Sequence, residues 1–161
     1  MATGNTLAVL HPFDNEPPAS NYATLDLRNG HPVLDFDQTT SETAIFTVVF
    51  PDSYASGGTS NFVHFSVTSA ITNSVAWDIA YERIGDEGQD IDADGFNTAV
   101  TAAASAPGTS GLVQVLRIDV SGLNMDGVGK GDACRVRVRR NFPASNTTDD
   151  AELVMFEIRE T

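Results

Sequence analysis

Hydrophobic and polar residues alternate with a period of two along most of this chain. The pattern is clearest over residues 75–84, where Val75, Trp77, Ile79 and Tyr81 alternate with Ala76, Asp78, Ala80 and Glu82. This alternation is typical of a strand with one face on a core and the other in water. The stretch also holds the only tryptophan of the chain, a side chain large enough to anchor a core. We therefore expect a central strand here.

Shorter alternating stretches recur along the sequence, separated by glycine, proline and asparagine. They cover residues 23–28, 31–37, 44–50, 62–68, 112–120, 134–140 and 153–159. Asn29-Gly30 predicts a tight hairpin between the first two, because both residues tolerate positive φ. Pro32 restricts the second stretch to an edge strand or to the start of a strand. Residues 96–104 are rich in alanine, but Thr and Val recur with period two, which favours a further strand.

Short strands joined by turn-rich connections, with no helix of ordinary length, indicate an all-β fold. We predict that residues 23–161 form an antiparallel β-sandwich or jelly roll of eight to nine strands. One domain is expected for a chain of 161 residues.

Residues 1–22 differ from the rest. Leu7, Val9, Leu10 and Phe13 belong to a short apolar patch, and Pro17-Pro18 then exclude regular structure. Two interpretations are open. The segment is either a first strand followed by a loop, or an extended N-terminal arm that packs on a neighbouring subunit. We adopt the arm, residues 1–22, as the working division of the chain.

Charge and composition exclude several functions. The chain has 22 acidic residues against 9 Lys and Arg, a formal net charge of −13. Such a surface repels phosphate, which argues against nucleic-acid and anionic-membrane partners. The N-terminus lacks the features of a signal peptide, so we expect cytoplasmic synthesis. The single Cys134 excludes an intramolecular disulfide and is expected to be a small buried hydrophobic residue.

Asp90, Asp92 and Asp94, followed by Gly95, are the strongest candidate for a metal site. Their spacing presents three carboxylates to one calcium ion, and the glycine permits a tight turn. The match is partial, since the twelfth loop position is Thr101 instead of a glutamate. An acidic surface loop is the alternative interpretation, and we expect no cofactor.

No other residue pattern points to catalysis. The chain's histidines, His11, His31 and His64, are scattered through the sequence without metal-ligand spacing. The sequence holds no nucleophile elbow, phosphate-binding loop or dinucleotide fingerprint. We therefore expect a protein that is not an enzyme.

Arg135, Arg137 and Arg139 form a basic row in this acidic chain. They alternate with Cys134, Val136 and Val138, so we expect the arginines to point outward. Such a row can pair with acids on the next strand, and Glu157 and Glu160 are the candidate partners. Arginine is also favoured at subunit interfaces, so part of the row is a candidate contact to another chain.

Several motifs resemble a group of small proteins from tailed phages and metagenomic phage contigs. The resembling stretches are residues 18–26 and 28–36, a V-x-W-D-x-A-[F/Y]-E-R-I motif from Val75 to Ile84, the acidic loop from Asp90 to Phe96, and the closing segment from Asp150 to Glu160. The resemblance covers residues 18–161.

This resemblance implies a virion structural protein. A small acidic jelly roll with an N-terminal arm is similar to a capsid decoration, or cement, protein, which sits on the phage head as a homotrimer and stabilises the lattice. The implied partners are the major capsid protein and further copies of the chain. The arm residues Leu7, Val9, Leu10 and Phe13 and the arginine row would form the interfaces.

A second class of function stays open. Jelly rolls also serve as carbohydrate-binding modules of phage tail fibres and spikes. A sugar site would need exposed aromatic residues, for which Tyr22 and Tyr54 are the candidates, because Trp77 and Tyr81 are expected to face the core. A hydrolase would need two carboxylates in one cleft, and the sequence does not assemble such a pair.

Overall fold

Ten β-strands form the regular structure of the computed structural model, which describes residues 4–69, 72–85 and 88–161. In chain order they are β1 (Thr6–Leu10), β2 (Thr24–Arg28), β3 (His31–Phe36), β4 (Thr43–Val49), β5 (Gly58–Val67), β6 (Ser74–Ile84), β7 (Val100–Ser105), β8 (Gln114–Ser121), β9 (Ala133–Arg140) and β10 (Ala151–Glu160). Short 3-10 turns lie at Pro12–Asp14, Gly122–Asn124 and Phe142–Ala144. No helix within these ranges is long and apolar enough to cross a membrane.

The strands build two antiparallel sheets. Sheet A has the order β2-β3-β10-β5-β8, and β1 pairs with the part of β10 that β3 leaves free. Sheet B has the order β4-β9-β6-β7. The predicted antiparallel sandwich is confirmed. The structure has ten strands, because the short apolar patch near the N-terminus and the alanine-rich segment both pair as strands.

The predicted β2–β3 hairpin is present. Asn29 and Gly30 have φ values of 48° and 79°, the left-handed conformation that a two-residue hairpin turn requires. Pro32 is the second residue of β3, and β10 pairs only with the later part of that strand, from Leu34 to Phe36. The proline therefore interrupts no hydrogen bond between β3 and β10.

Side chains from both sheets meet in one core. Val75, Trp77, Ile79 and Tyr81 on β6 are buried in it, as their alternation predicts. The Trp77 ring lies edge-on to Phe36 of sheet A, with ring centroids 4.9 Å apart and planes at 82°. Aromatic pairs favour this arrangement, and it is worth roughly 0.5–1.5 kcal/mol beyond the area that the pair buries.

The outer face of β6 is buried as well, which corrects the prediction that it lies in water. Asp78 and Glu82 are almost fully buried, because arginines of the neighbouring β9 lie across them. The Arg135 guanidinium donates to Glu82 at 2.9 Å, and Arg139 forms an ion pair with Asp78. The long aliphatic parts of arginine side chains can cover a strand in this way.

Residues 5–16 are fastened to the sheets. Thr6–Leu10 pairs with β10, and Asn5 accepts a hydrogen bond from the Glu160 amide at 2.9 Å. The Glu16 amide then donates to the Ile45 carbonyl of β4 at 2.7 Å. These residues therefore form a strand and a docked connection in the chain as described, and contact with another subunit stays a prediction.

Arg140 closes one end of the sandwich. This side chain is fully buried, and its guanidinium donates to the Phe36 carbonyl at 2.8 Å and to the Asp149 carbonyl at 2.7 Å. Phe36 belongs to sheet A and Asp149 to the connection before β10, so a side chain of sheet B joins all three segments. Burial lowers the pKa of Arg140, while nearby carboxylates, those of Asp35, Asp37, Glu42 and Asp150, oppose that effect.

Replacing Arg140 is expected to weaken the fold strongly. Arg140→Ala leaves a cavity and removes the guanidinium donor from the buried Phe36 carbonyl and the partly buried Asp149 carbonyl. We therefore expect a loss of roughly 3–5 kcal/mol in the free energy of unfolding. Arg117→Ala is the control, because Arg117 is exposed and pairs only with exposed Asp119, a type of contact worth about 0–1 kcal/mol. Urea unfolding of both variants measures the difference. Equal, small losses would show that the Arg140 bridge contributes little.

Candidate functional site

The outer face of sheet A carries a broad depression. It consists of two adjoining hollows of about 570 and 390 Å³, which share His31, Val113 and Val154. We call this feature the sheet A groove. Its remaining lining residues are Arg28, Asn29, Val33, Ser66, Ser110, Gly111 and Glu152 in the larger hollow, and His11, Pro12, Pro32, His64 and Met155 in the smaller one.

Strand register brings the groove residues together. Glu152 on β10 lies opposite Ser66 on β5, and Arg28 on β2 lies opposite His31 on β3. The alternation along β10 is interrupted after Leu153, where the pairing with β5 shifts. Because of this bulge both Val154 and Met155 line the groove.

A fixed polar cluster forms one wall of the groove. Arg28 makes an ion pair with the almost buried Glu152, and it donates to the Val67 carbonyl at 3.0 Å and to the Ser110 hydroxyl at 2.5 Å. The Ser110 hydroxyl donates in turn to the Thr68 carbonyl at 3.1 Å. The orientation of these groups is thus set by the protein itself.

The three histidines of the chain, which are far apart in sequence, all line the smaller hollow. Within the described residues, the buried Nε2 atom of His64 has no hydrogen-bond partner, and burial lowers the pKa of this imidazole. No group of three metal-ligating side chains is found in the ranges that the structure describes.

Asp35 lies beside the groove, on β3 opposite Glu152. Burial raises the pKa of Asp35 from 3.8 to about 6, and the neighbouring carboxylates of Asp150, Glu152, Asp26 and Glu42 add to that effect. Its Oδ1 atom is buried without a partner among the described residues. Ionised Asp35 therefore destabilises the folded state.

A second, smaller cleft lies at the edge between β2 and the β1–β2 connection. We call it the aromatic cleft, because Phe13 and Tyr22 border it with 68% and 48% of their surfaces exposed. Its volume is about 270 Å³, and its other lining residues are Pro12, Asn15, Pro17, Ala23, Thr24, Leu25 and Leu34.

Tyr54, the other aromatic residue proposed for a sugar site, is buried, and this part of the prediction is wrong. Its ring packs against Phe50 with centroids 4.8 Å apart, and its hydroxyl accepts a hydrogen bond from the Gly58 amide at 3.1 Å.

The acidic loop with Asp90, Asp92 and Asp94 is an exposed turn. Asp90 and Asp94 use side-chain oxygens to accept local amides, from Asp92 at 3.0 Å and from Gly95 at 2.9 Å. Asp90, Asp92 and Asp94 are not among any group of described residues that could hold a metal ion. Calcium binding at this loop stays a prediction.

The arginine row points outward as predicted, but its partners are different. Arg135 and Arg139 pair with Glu82 and Asp78 on β6, whereas Glu157 pairs with Arg159. The expected partner strand was therefore wrong, because β9 lies between β4 and β6 in sheet B. Arg137 has no acid opposite it and lies over the Phe96 ring at 5.0 Å.

The other residues predicted at interfaces differ in exposure. Val9 and Phe13 are exposed, Leu7 is half-buried, and Leu10 belongs to the core. The role of these residues and of Arg135, Arg137 and Arg139 at a subunit interface stays a prediction.

Cys134 lies in the core, and burial raises the pKa of its thiol to about 12. It is protonated at neutral pH and therefore a poor nucleophile.

Comparisons with solved structures identify the fold. A family 35 carbohydrate-binding module from an environmental isolate matches with a TM-score of 0.56 and 12% identity, covering 94% of this chain and 92% of that chain. The CBM36-1 domain of a multidomain xylanase from the hindgut metagenome of Trinervitermes trinervoides matches with a TM-score of 0.55 and 15% identity, covering 96% of each chain. The CBM22-1 xylan-binding domain of Paenibacillus barcinonensis Xyn10C matches with a TM-score of 0.51 and 14% identity, over 99% of this chain and 96% of that chain.

These neighbours define the class of the fold, a jelly-roll β-sandwich of the kind found in carbohydrate-binding modules. No protein-family model matches the sequence, and no curated protein matches it.

The assignment to capsid decoration proteins is corrected by these comparisons. The neighbours are carbohydrate-binding modules, not capsid or cement proteins, and none of them indicates a phage or virion origin. Jelly rolls occur in unrelated proteins with different functions, so the sequence motifs were compatible with the fold without specifying its use.

The raised pKa of Asp35 leads us to expect an unusual dependence of stability on pH. Its pKa is about 6 in the folded chain against 3.8 for an ordinary aspartate, so its ionisation above pH 6 opposes folding. Asp35→Asn should therefore raise the free energy of unfolding at pH 8 by about 1 kcal/mol, a value reduced for partial solvent exposure. The gain should shrink as pH falls through 6 and vanish below about pH 4.

Asp78→Asn is the matched control with the opposite sign. Burial raises the pKa of Asp78, but hydrogen bonds from Thr101, Arg139 and Asn141 outweigh that effect and lower it overall. This substitution should destabilise the chain at pH 8 and have less effect in acid. Urea unfolding across this pH range checks both signs, and a destabilised Asp35→Asn variant at pH 8 would contradict the assignment.

Proposed function

We propose that this chain is a non-catalytic carbohydrate-binding module that holds an oligosaccharide in the sheet A groove. The observation that carries the proposal is the groove itself, whose two adjoining hollows measure about 570 and 390 Å³. Ligand sites typically occupy roughly 300–1,000 Å³. The elongated form of two joined hollows suits a chain of several sugar rings.

The polar wall supplies groups that suit sugar hydroxyls. A hydroxyl both donates and accepts hydrogen bonds, and the wall contains a guanidinium (Arg28), a carboxylate (Glu152) and two hydroxyls (Ser66 and Ser110). Their mutual contacts order them before a ligand arrives, which lowers the entropy lost on binding.

The apolar lining of the groove suits the C–H faces of a sugar ring. Pyranose rings present C–H groups on their faces, and Val33, Val113, Val154 and Met155 line the groove beside the polar wall. Burial of apolar surface contributes about 25 cal/mol per Å². Polar and apolar groups that lie side by side match the alternating surface of a sugar chain.

The charge of the chain favours a neutral glycan. The net charge is −13, and Asp35 and Asp26 lie on the same side of sheet A as Glu152. This field repels sulfated and carboxylated sugars. Among the structural neighbours, one is described as a xylan-binding domain and another as a domain of a xylanase, so xylan belongs in the first panel of ligands.

Hydrolysis fits the site less well than binding. A glycosidase needs two carboxyl groups that flank the bond to be cleaved. Asp35 and Glu152 are cross-strand neighbours with different environments. Glu152 is engaged by Arg28, however, and Asp35 does not line the groove.

Val113→Glu tests the groove. Val113 lies where the two hollows join, so a longer, charged side chain should obstruct both. Wild-type protein should be retarded in gels that contain a neutral soluble polysaccharide such as xylan or a cellulose derivative. Val113→Glu should reduce the affinity at least tenfold, equivalent to about 1.4 kcal/mol.

Val49→Glu is the control. Val49 is 66% exposed on sheet B, so this substitution adds the same charge away from the groove. It should bind as the wild type does. The proposal fails if no neutral polysaccharide retards the wild type, or if the two variants lose affinity equally. Measurement of released reducing sugar in the same samples should give none.

A further inference from the structure

We infer that the aromatic cleft is a second sugar-binding site, in which Phe13 and Tyr22 stack against a pyranose ring of the same glycan. This inference rests on the proposed function and extends it from one site to two.

The backbone holds Phe13 in an exposed position. Phe13 is the middle residue of the 3-10 turn Pro12–Asp14, and Pro12 is buried beneath it. Two hydrogen bonds between His11 and Asp14 fix the turn. The His11 amide donates to the Asp14 carboxylate at 2.7 Å, and the Asp14 amide donates to the His11 carbonyl at 2.9 Å. The ring is therefore presented by a structured turn.

Tyr22 is held equally firmly from the other side. Asn21 adopts a left-handed φ of 51°, and the segment that follows bonds to Thr43. The Thr43 amide donates to the Asn21 carbonyl at 2.8 Å, and the Ala23 amide donates to the Thr43 carbonyl at 3.0 Å. The Asn15 side chain also accepts the Ile45 amide at 3.0 Å. The connection between β1 and β2 is thus fastened to β4 at several points.

Exposed aromatic surface is unfavourable in water, and a ligand that covers it removes this unfavourable contact. Phe13, Tyr22 and Leu25 each leave about half or more of their surface in water and border one cleft. Contiguous apolar patches on soluble proteins commonly mark interaction sites. Because the aromatic rings are already ordered, a ligand that stacks on them loses little entropy to arrange them.

The surroundings of the cleft favour a sugar ring over a protein segment. The neighbouring β2 is an edge strand, but its Leu27 amide is already bonded to the Asp26 carboxylate at 2.7 Å, which hinders the addition of another strand. The net charge of −13 disfavours a second copy of the chain. The volume of about 270 Å³ suits a small ligand.

Two side-chain hydroxyls at the aromatic cleft also suit a sugar ring. Tyr22 and Thr24 border the cleft, and neither hydroxyl has a partner among the described residues. A pyranose ring has an apolar face and a rim of hydroxyls, so it can stack on aromatic rings and bond to these groups at once. Pro12 lines both the cleft and the sheet A groove, so the two sites adjoin.

Two adjoining sites predict avidity for long chains. A polysaccharide that occupies the groove raises the effective concentration of its other sugars at the cleft. Phe13→Ala combined with Tyr22→Ala should therefore weaken retention by a long neutral polysaccharide at least tenfold, while the affinity of a short oligosaccharide for the groove changes less than twofold.

Phe142→Ala is the matched control. Phe142 is also partly exposed and lies in a 3-10 turn with a proline, Phe142–Ala144, but borders neither site. It should bind both ligands as the wild type does. Tyr22→Phe keeps the ring and should retain most of the binding.

Amide chemical shifts separate failure of the inference from failure of the proposed function. With a neutral oligosaccharide added to the wild-type chain, shifts at both Ala23 and Ser66 support two sites. Shifts confined to the groove overturn the cleft and leave the proposed function intact, and shifts confined to the cleft overturn the groove. No shift with any neutral glycan overturns both. A dimer in sedimentation that Phe13→Ala abolishes would show that a second copy occupies the cleft, which also overturns the inference.

Discussion

The packing of Trp77 between the two sheets is the contact on which the rest of the fold depends. Its ring meets Phe36 edge-on and lies 5.7 Å from Phe65, both on sheet A, so one side chain of β6 sets how the sheets face each other. Arg140 lies beside Trp77 in the strand register and bonds to the Phe36 carbonyl. The aromatic contact and the buried guanidinium thus fix the same strand of sheet A from two directions.

The few arginines explain how so acidic a chain folds. The chain has 22 acids and 9 bases, and three of its arginines pair with acids that are almost fully buried. Arg139 and Arg135 cover the buried Asp78 and Glu82. Arg28 neutralises Glu152 at the groove. Breaking such a pair leaves an uncompensated buried charge, which is strongly destabilising. Most remaining acids stay on the surface, which gives the molecule its negative field.

Both proposed sites use residues of sheet A. Leu25 and Leu27 on its edge strand β2 share a side with the core residue Leu34, yet both remain exposed. Leu25 and Leu34 line the aromatic cleft. On the opposite side of the same sheet, the bulge in β10 places both Val154 and Met155 in the lining of the groove.

The period-two alternation by itself determined most of the strands and the inward set of β6 and β9, because alternation depends only on the local geometry of an extended chain. The hairpin followed from Asn29-Gly30, since both residues tolerate positive φ. Alternation did not determine which strands are neighbours, because strand pairing joins residues that are far apart in the sequence and the local pattern does not specify it. For that reason the acid partners of Arg135 and Arg139, the burial of Tyr54 and the meeting of the three histidines appeared only in the tertiary structure. Tyr22 was identified from the sequence as an exposed aromatic residue, but only the docking of the β1–β2 connection on β4 placed Phe13 beside the same cleft.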